Sequence, residues 1–189
     1  MSGDRPDVSL FPFTFHGRKS GDLITVRRAT PNDAPRLIGF LQIIGGQTDF
    51  LNFGAGEFHL TEQQERDYIE RSQMIDTSLF LIAEIGPTVV STLTFSTPQR
   101  ERLEHVGEFG VSVVEARWGE GIGGAMTSAL IEWARRHEIV RKINLEVRAD
   151  NARAIALYAR LGFVQEGRQT LAMRVGDTFY DTLWMGIQT

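Results

Sequence analysis

The chain has 189 residues, a net charge of −4, a pI of about 5.6 and 42% hydrophobic residues, which suits one domain with a full core and leaves no electrostatic footprint for nucleic acid. It has no cysteine, so a disulfide framework and a cysteine acyl-enzyme are excluded, and its four histidines offer no metal-ligand cluster. No stretch approaches the roughly 18 apolar residues of a membrane span, and Phe11–Phe15 is too short for a signal-peptide core; the expectation is a cytoplasmic protein without a membrane partner.

Residues 1–21 mix Pro, Gly, Ser and charges and read as an irregular lead-in, with a single domain over 22–189. Asp22 to Arg28 alternates as a short strand. Thr30-Pro31-Asn32-Asp33 then opens a helix, with a hydroxyl at the cap and proline at its first position; Leu37, Ile38, Leu41 and Ile44 follow, and Gly45-Gly46 ends it.

The segment Gln47 to His59 is longer than the usual helix connection of about 2–8 residues. Long loops bind or cover something more often than short ones do. Phe50, Phe53 and Phe58 are candidate walls of an acceptor pocket, and Asp49 or Glu57 candidate partners for a cationic amine; the alternative is that the phenylalanines plug the core beneath the loop. Thr61 with Gln64 forms a capping-box signal for a helix to about Met74, with one narrow buried stripe. Leu79–Ile85 and Val89–Ser96 read as a hairpin about Gly86-Pro87-Thr88.

From Gly107 to Val114, Phe109, Val111 and Val113 alternate with polar or small residues as in a strand. Then come Trp118-Gly119-Glu120-Gly121-Ile122-Gly123-Gly124 and a helix from Ala125 to His137, with Met126, Ala129, Leu130 and Trp133 on one face. The first amides of a helix lack intrahelical partners and lie at the positive end of its dipole, so glycines there let phosphate oxygens approach. Lys142–Arg148 is a strand with Ile143, Leu145 and Val147 on one face and Glu146 on the other. Asp150 or Asn151 caps a helix carrying Ala154, Leu157, Tyr158 and Leu161, which Gly162 stops. Gln169–Val175 and Phe179–Ile187 form a last hairpin about Gly176-Asp177; its apolar residues either complete the sheet or supply a homodimer surface.

The run Gly121-Ile122-Gly123 opening a helix, then Leu145-Glu146-Val147 with Asn151, then Ala156-Leu157-Tyr158 with Leu161-Gly162-Phe163, resembles the acetyl-CoA-binding core of the GNAT superfamily of N-acetyltransferases. The branch it is most similar to contains the ribosomal-protein alanine N-acetyltransferases and small-molecule amine acetyltransferases. The resemblance implies an α/β domain with a mixed, mostly antiparallel sheet of about seven strands, splayed at the cofactor site and flanked by about four helices. It implies acetyl-CoA as acyl donor, bound by the backbone of Val111, Ser112 and Val113 and by Trp118, Gly119, Gly121, Ile122, Gly123, Gly124 and Asn151. It also implies Glu146 as general base and Tyr158 as general acid, with a small-molecule amine or a peptide N-terminus as acceptor. One departure stands out: the family's phosphate loop has Gln or Arg where this chain has Trp118.

From the residues alone, Glu146 reads first as a strand carboxylate paired with Arg148 or Lys142 and Tyr158 as a core tyrosine, while Asn151 is a helix cap, a cofactor contact or both. At the level of function, an idle acyl-CoA-binding module and a dinucleotide-binding domain remain the competing readings, the latter because Gly119, Gly121 and Gly124 satisfy G-x-G-x-x-G.

Overall fold

The computed structural model describes residues 10–189, so residues 1–9 of the expected lead-in lie outside it. The strands are β1 (Phe13–His16), β2 (Leu23–Arg28), β3 (Leu79–Ile85), β4 (Thr88–Ser96), β5 (Val106–Val113), β6 (Lys142–Arg148), β7 (Val164–Val175) and β8 (Thr178–Gln188). They form one sheet in the order β1-β2-β3-β4-β5-β6-β8-β7. The helices are α1 (Ala34–Ile44), α2 (Glu62–Met74), α3 (Ile122–Arg135) and α4 (Ala152–Arg160).

This is the expected mixed, mostly antiparallel α/β domain, with eight strands rather than about seven. The extra strand comes from the segment read as irregular: Phe13–His16 pairs antiparallel with β2, and its alternating phenylalanines pack beside Phe11, with ring centroids 6.2 and 6.3 Å apart. The terminal hairpin completes the sheet, β8 pairing with β6 along its whole length. Among the described residues only β5 and β6 run parallel, so these hold no repeated parallel βαβ array of a dinucleotide-binding fold and that reading falls.

Local chemistry sets the helix ends. Thr61 accepts from the Gln64 amide at 3.2 Å while Gln64 Oε1 accepts from the Thr61 amide at 2.8 Å, a complete capping box. The narrow buried stripe of α2 is Glu65, Ile69 and Ser72. Ahead of α1, Pro31–Asp33 form a 3-10 turn capped by Thr30, and Asp33 takes the Thr30 amide and hydroxyl, at 2.8 and 2.9 Å. Helix α3 begins at Ile122, a turn earlier than its apolar pattern suggests, because Gly121 adopts φ 92° and serves as its N-cap.

The two faces of the sheet carry separate cores. One joins Leu81, Leu93, Phe95, Phe109, Leu145 and Val147 to α3 and α4. The other packs Phe80 and Ile82 against Leu37, Phe40, Ile44 and Ile69 of α1 and α2.

The feature that positions the site is the parting of β5 and β6. They pair only at Val106 with Lys142, Gly107 with Ile143 and Glu108 with Asn144. Beyond this, β5 stays on β4 as far as Val113 and β6 stays on β8 as far as Arg148. A wedge therefore opens in mid-sheet.

Candidate active site

At the head of the wedge sits the glycine-rich loop. Gly119 and Gly121 have φ of 86° and 92°, left-handed conformations that disfavour any side chain. Ala125 is the first α3 residue whose amide reaches a backbone carbonyl, that of Gly121 at 2.9 Å. Among the described residues, the amides of Gly121, Ile122, Gly123 and Gly124 have no such acceptor, so a cradle of donors is aimed out of the helix end. A Cβ on Gly123 would touch Val113 and Leu157 at ordinary separations of 3.8 and 3.9 Å; packing alone does not demand glycine there. The cradle fits a diphosphate.

Trp118, where a phosphate-binding side chain was absent by sequence, turns inward. Its indole Nε1 donates to the Val113 carbonyl at 2.7 Å. Asn151 is the N-cap of α4, its Oδ1 accepting from the Ala154 amide at 3.1 Å.

Along β5 the hydrogen-bond alternation is fixed by Val114, whose amide donates to Val90 at 3.0 Å. In an antiparallel ladder this directs the amides of Ser112 and Gly110 toward β4 and those of Phe109, Val111 and Val113 into the wedge. Ser112 is further tied to β4, its carbonyl accepting from the Ser91 hydroxyl at 2.6 Å. Of the three residues named from the sequence, Val111 and Val113 thus direct their amides into the wedge, while Ser112 does not.

Tyr158 stands where the strands part. Its ring makes edge contacts with Phe109 at 5.9 Å and Phe163 at 5.8 Å, and the residue is 9% exposed. The hydroxyl has no hydrogen bond to another described residue, and burial pushes it up to about 12. It is therefore a core tyrosine by its ring, with a hydroxyl that no described residue engages.

Glu146 approaches from the opposite face, because it alternates with Leu145 and Val147, which pack with Tyr158. It pairs with neither Arg148 nor Lys142. Arg148 binds Asp150 at 2.6 Å and Lys142 binds Glu166 at 2.7 Å, while Glu146 accepts the hydroxyl of Thr182. Among the described residues, that leaves a carboxylate without a cationic partner.

The same face gathers residues that sequence reasoning missed. Glu108, paired with Asn144 in register, has its carboxyl pushed up by burial and then by the negative charge of Glu146. The signal was available, since Glu108 and Glu146 fall on the polar stripes of adjacent strands. Glu65 on α2 is 2% exposed, and burial raises its carboxyl also.

The segment 47–60 joins this face through Arg148. The Arg148 guanidinium donates to the Asp49 carbonyl at 2.9 Å and lies 4.6 Å from the Phe50 ring and 3.6 Å from the Tyr180 ring. Phe50 is thus a wall beside the Glu146 face, and Asp49 contributes its backbone. Phe53 instead packs on Phe58, with centroids 5.1 Å apart, and on the α1/α2 core. Glu57 folds back to accept the Gly54 amide at 2.8 Å. The loop therefore divides between the two alternatives, part wall and part plug.

No helix among the described residues is long and apolar enough to cross a membrane, and they hold no group of three or more potential metal ligands.

A sequence model of the acetyltransferase (GNAT) family matches residues 48–163. The chain is 37% identical over 107 residues to the L-amino acid N-acetyltransferase AaaT of Escherichia coli (strain K12), a match covering 56% of this chain and 65% of that one. To the mycothiol acetyltransferase of Amycolatopsis mediterranei (strain U-32) it is 36% identical over 101 residues, 51% of this chain and 33% of that one. The chain thus spans less than two thirds of either curated relative. Among solved structures, a GNAT-family acetyltransferase from Streptococcus pneumoniae superposes with a TM-score of 0.84 at 28% identity, covering 87% of this chain and 98% of that one. The ribosomal-protein-alanine N-acetyltransferase of Brucella melitensis gives 0.76 at 25%, covering 87% and 99%.

Proposed function

Because the chain belongs to the GNAT acetyltransferase family, we propose that it transfers an acetyl group from acetyl-CoA to a primary amine by direct attack in a ternary complex. The observation that carries this reading is the wedge between β5 and β6, with Tyr158 on one face and Glu146 on the other.

The amides of Ile122, Gly123 and Gly124 would hold the diphosphate of the donor, and those of Val111 and Val113 its pantetheine arm and thioester carbonyl, stabilising the oxyanion as it forms. The acceptor would enter on the Glu146 face. Its nitrogen forms a bond to the acetyl carbon as the carbon–sulfur bond breaks; Glu146, directly or through water, takes the ammonium proton, and the Tyr158 hydroxyl donates to the departing sulfur. Tyr158 keeps its proton through the neutral range. The thiolate forms in the same dry surroundings, which raise its proton affinity as well.

The carboxylates on the acceptor face favour a cationic amine, and the amino-acid and peptide N-terminal acceptors named for similar proteins are the first classes to test. Thiol release from acetyl-CoA, screened across amino acids, polyamines and peptides, is the direct experiment. Turnover with at least one amine is expected; tight CoA binding with no thiol release from any amine would assign the chain as an idle acyl-CoA-binding module.

A further inference from the structure

The turn between β1 and β2 lies outside the stretch matched by the family, residues 48–163, yet it is bolted to the glycine-rich loop. The Arg18 amide donates to the Glu120 carbonyl at 3.2 Å, and the Lys19 amide to the Glu120 carboxylate at 2.8 Å. The Ser20 amide joins the same carboxylate at 3.2 Å, and Arg117 bridges to Asp22 at 2.6 Å. Glu120 is 4% exposed, and the Lys19 and Ser20 amides hold its carboxyl below the usual range. Its negative charge is therefore spent on the turn rather than facing the free amides of α3.

What the turn delivers to the loop is positive charge. The Lys19 ammonium donates to the Trp118 carbonyl at 2.7 Å, and a Cβ on Gly119 would collide with its side chain. The Arg18 Nε lies 3.1 Å from where a Cβ of Gly121 would stand. Arg18 is exposed and its guanidinium has no hydrogen-bond or ion-pair partner among the described residues. From the other side, Arg153 of α4 lies 5.6 Å from the Trp118 ring. In a chain of net charge −4, cations thus flank the helix end whose amides lack acceptors.

We propose that this turn is a phosphate clamp: Arg18, supported by Lys19, supplies to the phosphates of the donor the side-chain cations that Trp118 cannot. The proposal rests on the acetyl-CoA reading. It explains why a tryptophan is tolerated in the loop, since the indole braces β5 while charge arrives from a different part of the chain. Guanidinium suits the task because its planar donor fork matches phosphate oxygens.

The test is calorimetric titration of the intact protein with CoA and with 3′-dephospho-CoA, and NMR titration with pantetheine, which lacks every phosphate. Arg18→Gln should weaken CoA binding about tenfold and Lys19→Gln about threefold at low salt, with smaller ratios at high salt. Pantetheine affinity and the melting temperature of the free protein should not change. Unchanged CoA affinity in Arg18→Gln, or an equal loss for pantetheine, overturns the clamp and leaves the acetyl-CoA reading intact. A wild-type protein that fails to bind CoA overturns both. If Arg18→Gln lowers the melting temperature, the phosphate dependence decides: a loss confined to CoA that shrinks at high salt supports the clamp, and a loss shared by pantetheine or unaffected by salt overturns it.

Discussion

The indole of Trp118 donates to the carbonyl of Val113 at 2.7 Å, tying the glycine-rich loop to the strand bordering the wedge. Trp118→Phe keeps the ring and removes the donor. A neutral hydrogen bond is worth about 1 kcal/mol, so the melting temperature should fall by about 2–4 °C and CoA affinity by about fivefold. Calorimetry with the free and CoA-bound protein measures both; an unchanged CoA affinity would separate the brace from the donor site.

Gly123 separates folding from binding. Its built Cβ meets neighbours only at 3.8 and 3.9 Å, and alanine is favoured over glycine within a helix by about 0.5–1 kcal/mol. Gly123→Ala should keep or raise the melting temperature while weakening CoA binding at least tenfold, if the methyl group it adds crowds a diphosphate held by the amides on either side. Normal CoA affinity in a folded Gly123→Ala would remove this position from the phosphate site.

Tyr158→Phe should lower kcat about ten- to a thousandfold while leaving CoA affinity near that of wild type. A pH signature accompanies it. The folded-state pKa of about 12 lies above the free value of about 10, so the stability linked to this hydroxyl is complete below pH ~10 and is lost as pH rises toward 12. Unfolding titrations at alkaline pH should show a shallower decline for Tyr158→Phe than for wild type.

Glu146→Gln should act mainly on the pH dependence of kcat/KM. It should also be felt at Glu108, whose carboxyl is raised by burial and by the charge of Glu146. Removing that charge should bring Glu108 down toward the ordinary carboxylate range, as read by carbon NMR of labelled glutamates. A raised Glu108 titration favours the protonated fold, so its share of stability is present at acid pH and lost as pH climbs through the folded value.

Asp33 is held by Arg27 through two bonds of 2.8 Å and by Arg36. Burial opposes its charge, but bonds from Arg27, Thr30 and Arg36 overcome this and hold its carboxyl well below the usual carboxylate range. Asp33→Asn leaves cations facing a neutral amide and should cost about 3 kcal/mol, a fall of roughly 6–12 °C in melting temperature. The stability from this cluster is present above the ordinary carboxylate pKa near 4 and fades as pH falls, so the gap between variant and wild type should narrow in acid.

Much of this architecture was legible in the chain. The strand Lys142–Arg148 appears with the residue limits its alternation gives, and the capping pair Thr61 and Gln64 places α2 to the residue. Local periodicity and capping are properties of neighbouring residues, and they survive folding. What escaped were long-range partners. Nothing near Arg18 in sequence points to Gly121, and nothing near Glu108 points to Glu146, because strand pairing and a turn docked a hundred residues away create those encounters. Phe13–His16 was missed for a related reason: flanked by Pro12 and Gly17, it is too short to show a period and becomes a strand only by pairing with β2.

Since Tyr158 and Glu146 reach the wedge from opposite faces of one sheet, the two reactants need not share a doorway. In the proposed reaction the acetylated amine would depart on its own side while the spent thiol is still held on the other. Inhibition by each product would then be competitive with its own parent compound alone, and a molecule built to mimic both reactants at once would have to be threaded through the sheet.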